Sequence, residues 1–440
     1  MLAPALDIGD FLQHTPKCIA LWLMTFVPPA LLFVTTPRTS ILRWLWLPCF
    51  LALAHALCVQ LFTATLFGGF RIPCAALAIN ALTVVFIFFT IERPGPEDMA
   101  EAGIFRSGDS IARKVLGTLG RFYNFRAVGT KWQVKRVPAH PRYLERRRGK
   151  DGKIPLRTYL LRQAFIFAWE YLLMDLTFAM SVTQPPEEMD AMVGDASEYH
   201  YRDLTPEEWQ GRITIGWISW LTSARAVIDM YYRITSIFVL SLGLSSVDIW
   251  PPLFRSMADV YTIRGFWSTF WHQYLRWPLT SFSNFITRRV LRLPTPSILE
   301  RYLNVFLVFL GSGALHVLID YYDPQVSSST FPGTMAFFSS FALAVMIEDG
   351  VQAFWRCVTG SGPRKEDAPV PLWHKLVGYA WVTTVFMLVT PWFMYPKVRL
   401  PPDMSAFVPV LLTPHIGLPA VGGLLAIGAP IVLFGLGGEI

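Results

Sequence analysis

One histidine occupies an unusual position in this sequence. His316 lies within residues 302–319, a run without a charged side chain, and follows the small residues of Gly311-Ser-Gly-Ala-Leu. Small residues let a neighbouring helix or a substrate approach closely inside a membrane. An imidazole there can act as a general base, since its pKa near neutrality suits abstraction of a hydroxyl proton. The alternative is a hydrogen bond that only packs two helices together.

A second cluster combines aromatic, basic and amide side chains over residues 266–277. It contains Trp271, His272, Gln273 and Arg276. Composition alone would suit an interfacial aromatic belt with a snorkelling arginine. The sequence places His272 only 44 residues before His316, close enough for a re-entrant segment to bring both imidazoles to one cavity. Two histidines lack the third and fourth ligands of a zinc site, so no metal is expected.

The elements that hold these residues are predicted to be membrane helices. Hydrophobic residues make up 53% of the 440-residue chain and charged residues 16%, against about 25% charged in globular proteins. Segments near the roughly 20 residues needed to cross a bilayer recur along the sequence. They predict one all-α, polytopic membrane domain over residues 1–440 with about nine spans. The spans are 18–36, 44–70, 72–91, 158–182, 213–240, 302–322, 331–354, 376–396 and 404–438.

Two of these spans carry charged side chains. Charge inside a bilayer is costly, so these side chains should face the bundle interior, and those in 213–240 should pair along one helix face. They are Arg162, Glu170, Asp175, Arg225, Asp229 and Arg233.

Charge in the loops predicts their sides of the membrane. Residues 92–157 contain sixteen Lys or Arg and seven Asp or Glu. This bias predicts a cytosolic loop and explains the net charge of +7 without nucleic-acid binding. Residues 183–212 contain eight acidic side chains and two basic ones, and connectivity then predicts a lumenal loop.

Several ordered motifs resemble one family. Asn124-Phe-Arg126-Ala-Val-Gly129-Thr130, Trp250-Pro251-Pro252-Leu-Phe254, Trp271-His272-Gln273, Gly313-Ala-Leu-His316 and Ile347-Glu-Asp-Gly350 follow one another over about residues 120–360. Their order and spacing are similar to those of the wax-synthase-like branch of the membrane-bound O-acyltransferase superfamily. The fungal members of that branch, which acetylate terpenoids or meroterpenoids, are the best match for the first motif.

The resemblance implies a fold of membrane helices around a catalytic tunnel, with a catalytic core at 250–360. It implies that His316 is the catalytic histidine and that His272 takes the second polar position of the active site. Acyl-CoA, here acetyl-CoA, would be the co-substrate, the acceptor would be a hydrophobic alcohol, and the membrane would be the endoplasmic reticulum. The residues expected to bind acyl-CoA are Trp271, Gln273, Arg276, Arg288, Arg289 and Arg292, with the four arginines placed to meet the phosphates of CoA.

Three other functions remain open at this point. A wax-ester synthase would use a long-chain acyl-CoA and a fatty alcohol. A transporter would also have buried charges and proline-broken helices. An intramembrane prenyltransferase is the third, because Asp320-Tyr-Tyr-Asp323 has a spacing that could hold Mg²⁺ on a diphosphate; the sequence contains no second acidic motif of this kind.

Overall fold

The computed structural model describes residues 8–63, 71–360, 370–400, 408 and 410–436. Within these ranges every regular element is a helix. The α-helices are α1 (Ile8–Thr35), α2 (Ile41–Thr63), α3 (Arg71–Ile87), α4 (Pro96–Glu101), α5 (Ile111–Tyr123), α6 (Arg142–Glu145), α7 (Leu156–Thr183), α8 (Pro186–Val193), α9 (Pro206–Ile213), α10 (Arg225–Ser241), α11 (Ile263–Gly265), α12 (Arg276–Asn284), α13 (Ile298–Tyr322), α14 (Phe331–Thr359), α15 (Leu372–Val389), α16 (Pro391–Val398), α17 (Thr413–Ile416) and α18 (Leu418–Pro430).

The predicted polytopic helical fold is confirmed, with a difference in the number of spans. Eight helical stretches in the described ranges are long and apolar enough to cross a membrane. They are α1, α2, α3 with the π-helical turn after it, α7, α13, α14 with the turn before it, α15, and α18 with the turn after it. The expected span at 213–240 is helical, as a π-helix over Thr214–Ala224 followed by α10. Its charged side chains make it less apolar than the eight, so the count of nine stays a prediction.

The last predicted span, 404–438, is broken. The short α17 and the longer α18 are separated by Gly417, whose φ of 85° ends the first helix. Residues 401–407, 409 and 437–440 of this region lie outside the described ranges, as do residues 64–70 of the second predicted span.

The charged side chains of α7 and α10 face the bundle interior, as predicted. Glu170, Asp229 and Arg233 have exposed fractions of only 3%, 3% and 6%. The Arg233 guanidinium donates to Asp229 on its own helix at 3.1 Å and to Glu170 on α7 at 3.3 Å. A buried charge is tolerated only when it is paired in this way, so these residues dock α10 on α7.

Helix α13, which carries His316, is held between two neighbours by small residues. A Cβ on Gly311 would lie 2.8 Å from the Leu279 side chain of α12, and one on Gly313 would lie 3.1 Å from Met335 of α14. A larger residue at either position would therefore require the neighbouring side chain to shift. The predicted close approach at the Gly-Ser-Gly sequence is therefore a helix–helix contact, and it fixes the position of α13 in the bundle.

Candidate active site

A cavity of about 2490 Å³ runs through the bundle. One face of α13 lines it from end to end, because residues three or four apart share a helix face. The lining residues of this face include Glu300, Arg301, Asn304, Ser312, His316 and Asp320. At a rise of 1.5 Å per residue, the face extends over about 30 Å, the thickness of a bilayer core. The cavity therefore has one part at each end of a spanning helix, and His316 lies between them.

The helix backbone fixes the tautomer of His316. Its Nδ1 atom lies 2.8 Å from the carbonyl oxygen of Ser312, one turn earlier. Because a carbonyl oxygen only accepts, Nδ1 carries the proton and Nε2 keeps a free lone pair. The ring packs on Phe338, with centroids 4.2 Å apart, and lies edge-on to Phe393 at 5.8 Å. His316 thus has the protonation pattern of a general base and a side chain held by aromatic rings.

His272 lines the same cavity. It follows the π-helix Phe266–Phe270, which ends at Trp271 where the backbone becomes extended. The imidazole contacts Phe254 and Tyr274, with ring centroids 6.2 and 5.5 Å away. The two histidines that the sequence singles out therefore line one cavity.

The environment of His272 keeps its imidazole neutral. The residue lies outside the eight spanning helices. Burial lowers its pKa to about 3, and the nearby His316 and Arg126 act in the same direction. Its Nδ1 atom is buried without a hydrogen-bond partner. A neutral imidazole has one N–H to donate and one lone pair to offer, so His272 is available to a bound reactant.

Three neighbours of His272 also line the cavity, and two of them attach this segment to the basic loop. The buried Gln273 donates from Nε2 to the backbone oxygens of Lys135 and Arg136 at 3.3 and 3.1 Å. Arg276 donates to the Lys135 oxygen and to the Ser268 oxygen, both at 2.7 Å. Trp271, the third neighbour, is buried, with an exposed fraction of 5%. The position of His272 therefore depends on a loop more than 130 residues earlier in the chain.

The other predicted basic residues differ in position. Arg288 lines the cavity and donates from Nε to Glu300 at 2.8 Å. Arg289 and Arg292 are exposed and are not among the residues that line the cavity. The structure brings the first of these arginines to the site and leaves the other two outside it.

Two further arginines, at the end of the cavity where α13 begins, were missed by sequence reasoning. Arg264 and Arg301 line the cavity, and both donate to the same carboxylate oxygen of Asp349, at 2.6 and 2.8 Å. The Tyr302 hydroxyl donates to that oxygen at 3.1 Å. Asp349 therefore joins the segment before His272 to the first turn of α13. The Ile347-Glu-Asp-Gly350 motif was a signal for this cluster, but the partners lie 85 and 48 residues away.

A residue of the first motif, to which the sequence assigned no role in the site, joins two of the sequence motifs. Arg126, with an exposed fraction of 3%, donates to the backbone oxygens of Pro251 and Pro252, each at 2.6 Å. It also donates to the Tyr232 hydroxyl at 2.9 Å. The first motif therefore fixes the segment that leads into the π-helix before His272.

The opposite end of α13 contains the two aspartates of the prenyltransferase alternative. Asp320 is buried, pairs with Lys397 and accepts from the Thr334 hydroxyl at 3.3 Å. In the ranges that the structure describes, no group of three or more His, Cys, Asp or Glu side chains is arranged to hold a metal ion. The Asp320 carboxylate is thus engaged by a lysine, while the expectation that no metal is needed stays a prediction.

A broad apolar arm extends from the histidines toward the N-terminal helices. Its walls come from α1, α2, α3 and α10, and its lining residues include Trp22, Leu57, Leu61, Leu77 and Tyr231. Such a surface suits a hydrophobic molecule. We call it the acceptor arm, and the part at Arg264, Arg276, Arg288 and Arg301 the basic mouth.

Comparison with known proteins agrees with this site. Residues 250–340, which include both histidines, match the model of the membrane bound O-acyl transferase family. Acetyltransferase TRI7 of Fusarium sporotrichioides is 43% identical over 82% of this chain and 82% of its own. Acetyltransferase pyr8 of Aspergillus fumigatus is 37% identical over the full length of both. The chain belongs to the membrane bound O-acyl transferase family.

Acetyltransferase atnC of an Arthrinium species adds a third relative, 36% identical over 98% of this chain and 99% of its own. No solved structure matches. Membership of the family makes the chain an O-acyltransferase, as the resemblance implied, and leaves the transporter and prenyltransferase alternatives without support.

Proposed function

We propose that the enzyme transfers acetyl from acetyl-CoA to a hydroxyl of a hydrophobic terpenoid or meroterpenoid, with His316 as general base. The observation that carries this proposal is the free Nε2 of His316, directed by the Ser312 hydrogen bond, in a cavity with a basic mouth and an apolar arm. The three relatives are all named acetyltransferases, which favours acetyl over a longer acyl group.

The reaction begins with the acceptor in the apolar arm and its hydroxyl near Nε2 of His316. As the oxygen attacks the thioester carbonyl carbon, its proton passes to Nε2. The carbon–sulfur bond then breaks, and the departing CoA sulfur takes the proton from Nε2 of His316. His272, neutral and lining the same cavity, donates to the developing oxyanion. The ester bond forms directly, without an acyl-enzyme.

The basic mouth binds the phosphates of CoA. Arg264, Arg276, Arg288 and Arg301 line it, and guanidinium groups pair well with phosphate oxygens. Asp349 and Glu300 already accept from three of these arginines. These carboxylates hold the side chains in place, and a guanidinium has five N–H donors, more than these ion pairs use.

The mouth is proposed to face the cytosol, because the basic loop 92–157 packs against it through the Lys135 oxygen that accepts from Arg276. The acidic loop 183–212 would then face the lumen of the endoplasmic reticulum. An N-glycosylation acceptor inserted in each loop tests this arrangement. Modification of the acidic loop alone is expected. Modification of the basic loop alone would show that the topology is the reverse of the proposed one.

The activity itself is tested with the full chain purified in detergent. Labelled acetyl-CoA and palmitoyl-CoA are offered in parallel with a panel of terpenoid alcohols and a long-chain fatty alcohol, and the esters are identified by mass spectrometry. Acetylated terpenoid is the expected product. A palmitoyl ester of the fatty alcohol as the main product would instead identify a wax-ester synthase.

A further inference from the structure

The cavity is closed beside His316 by an aromatic wall. Three of its rings line the cavity, namely Trp267, Phe309 and Phe338. Behind them lie Phe341 and Phe386, each with an exposed fraction of 0%. The wall therefore has two layers, one facing the reacting groups and one fully buried.

Trp267 is at the centre of this wall. Its ring centroid lies 4.8 Å from that of Phe341, 5.7 Å from Phe309 and 6.1 Å from Phe386. Phe338, which packs on His316, lies 6.4 Å from the same ring. Close-packed rings leave no space for additional atoms, since protein interiors pack as densely as organic crystals.

The cavity also reaches the far end of α13, where the ion pair of Asp320 and Lys397 makes its wall unsuited to an apolar acyl group. The other two openings have occupants in the proposed reaction. The basic mouth takes CoA, and the acceptor arm takes the alcohol.

The thioester carbonyl must lie between His316 and His272, and the wall borders both histidines. Phe338 packs on His316. Trp267 contacts Trp271, whose ring lies beside His272. The acyl group attached to that carbonyl therefore lies against the wall.

We infer that this aromatic wall, with Trp267 at its centre, limits the acyl donor to a two-carbon group. The inference rests on the proposed acetyl transfer and assigns it a structural cause. Each methylene added to the acyl group would have to displace a packed ring, and overpacking of this kind costs enough to weaken binding at least about fivefold. Removing the Trp267 ring would instead leave an apolar space that an added methylene can fill.

The test measures binding of acetyl-, butyryl-, hexanoyl- and octanoyl-CoA to the full chain in nanodiscs, by competition with labelled acetyl-CoA. The wild-type protein is expected to bind acetyl-CoA best. In Trp267→Ala the order of affinities should reverse for the first carbons added to the acyl chain. The affinity should then rise up to about fourfold with each added methylene. Phe309→Ala, which opens the same wall from α13, is measured alongside in case Trp267→Ala does not yield monodisperse protein.

Trp22→Ala is the matched control, because it removes the same type of ring from the acceptor arm of the same cavity. It should leave the chain-length order unchanged. If Trp22→Ala relaxes the order as much as the wall variants do, or if neither wall variant relaxes it, the wall does not set acyl length. A wild-type protein that binds octanoyl-CoA better than acetyl-CoA would overturn the proposed acetyl transfer as well.

Discussion

The basic mouth and the acceptor arm, the two substrate ends of the cavity, differ in the chemistry of their walls. At the basic mouth, guanidinium groups are held by carboxylates, as Arg264 and Arg301 are held by Asp349. In the acceptor arm, the walls are mostly apolar side chains such as Trp22 and Leu57. An anionic, water-soluble donor and a hydrophobic acceptor need these opposite surfaces. The difference suggests that each substrate is recognised at its own end, and that only their reacting groups meet at the histidines.

His272 lines the cavity that the mouth and the arm share, so its removal should lower the rate of the reaction between the two substrates by a large factor. We expect His272→Ala to lower kcat by about 10²–10³-fold, the usual cost of losing an oxyanion donor. Steady-state kinetics on purified protein measures this. His272→Gln, which keeps an N–H donor, should recover part of the rate. Equal losses in both variants would contradict the donor role.

The next effect is confined to the mouth. The double variant Arg264→Ala with Arg301→Ala should raise the KM for acetyl-CoA by about tenfold or more, since charge-assisted hydrogen bonds each contribute about 1.5–3 kcal/mol. The KM for the acceptor should stay the same. Arg292→Ala is the control, because this exposed arginine is not among the lining residues. A rise in the acceptor KM alone would show that the two ends are wrongly assigned.

A smaller effect, of opposite selectivity, is expected in the acceptor arm. Trp22 contacts Phe26 and Tyr123, with ring centroids 5.5 and 6.2 Å away. Trp22→Ala should raise the KM for the acceptor several-fold, because apolar contact with the substrate is lost. Initial rates at varied acceptor concentration measure it. An effect on acetyl-CoA alone would mean that the acyl donor extends into this arm.

The smallest expected difference concerns pH. Burial lowers the pKa of His272 to about 3, so its imidazole stays neutral as the pH falls from about 8 to about 5. The kcat profiles of the wild type and His272→Gln should therefore be parallel over this range. A limb of the kcat profile that is present in the wild type and absent in His272→Gln would show that this histidine titrates during turnover and acts as an acid or base in the reaction.

The sequence predicts the parts of this arrangement that depend on local pattern. Long apolar runs give the helices, and the small residues at Gly311 and Gly313 indicate the close packing of α13. The motif order places His272 and His316 in one site. Contacts between distant segments are not predictable in this way, because Arg301 meets Asp349 only once α13 packs on α14.

Two sequence predictions show the same limit from another side. Arg289 and Arg292 share a basic, flanking composition with Arg288, yet only Arg288 lines the cavity, where it pairs with Glu300. The π-helical turns before His272 and before α10 were also not predicted. These turns depend on tertiary packing. The spacing of apolar residues in them does not distinguish them from an α-helix.

The general-base role of His316 is tested most directly by the turnover of His316→Ala. Detergent-purified wild type and variant are compared at matched size-exclusion profiles, with labelled acetyl-CoA and one acceptor. Loss of the base is expected to lower acetyl transfer by about 10²–10⁴-fold while the protein stays monodisperse. A monodisperse His316→Ala protein that acetylates at a rate near that of the wild type would contradict the account.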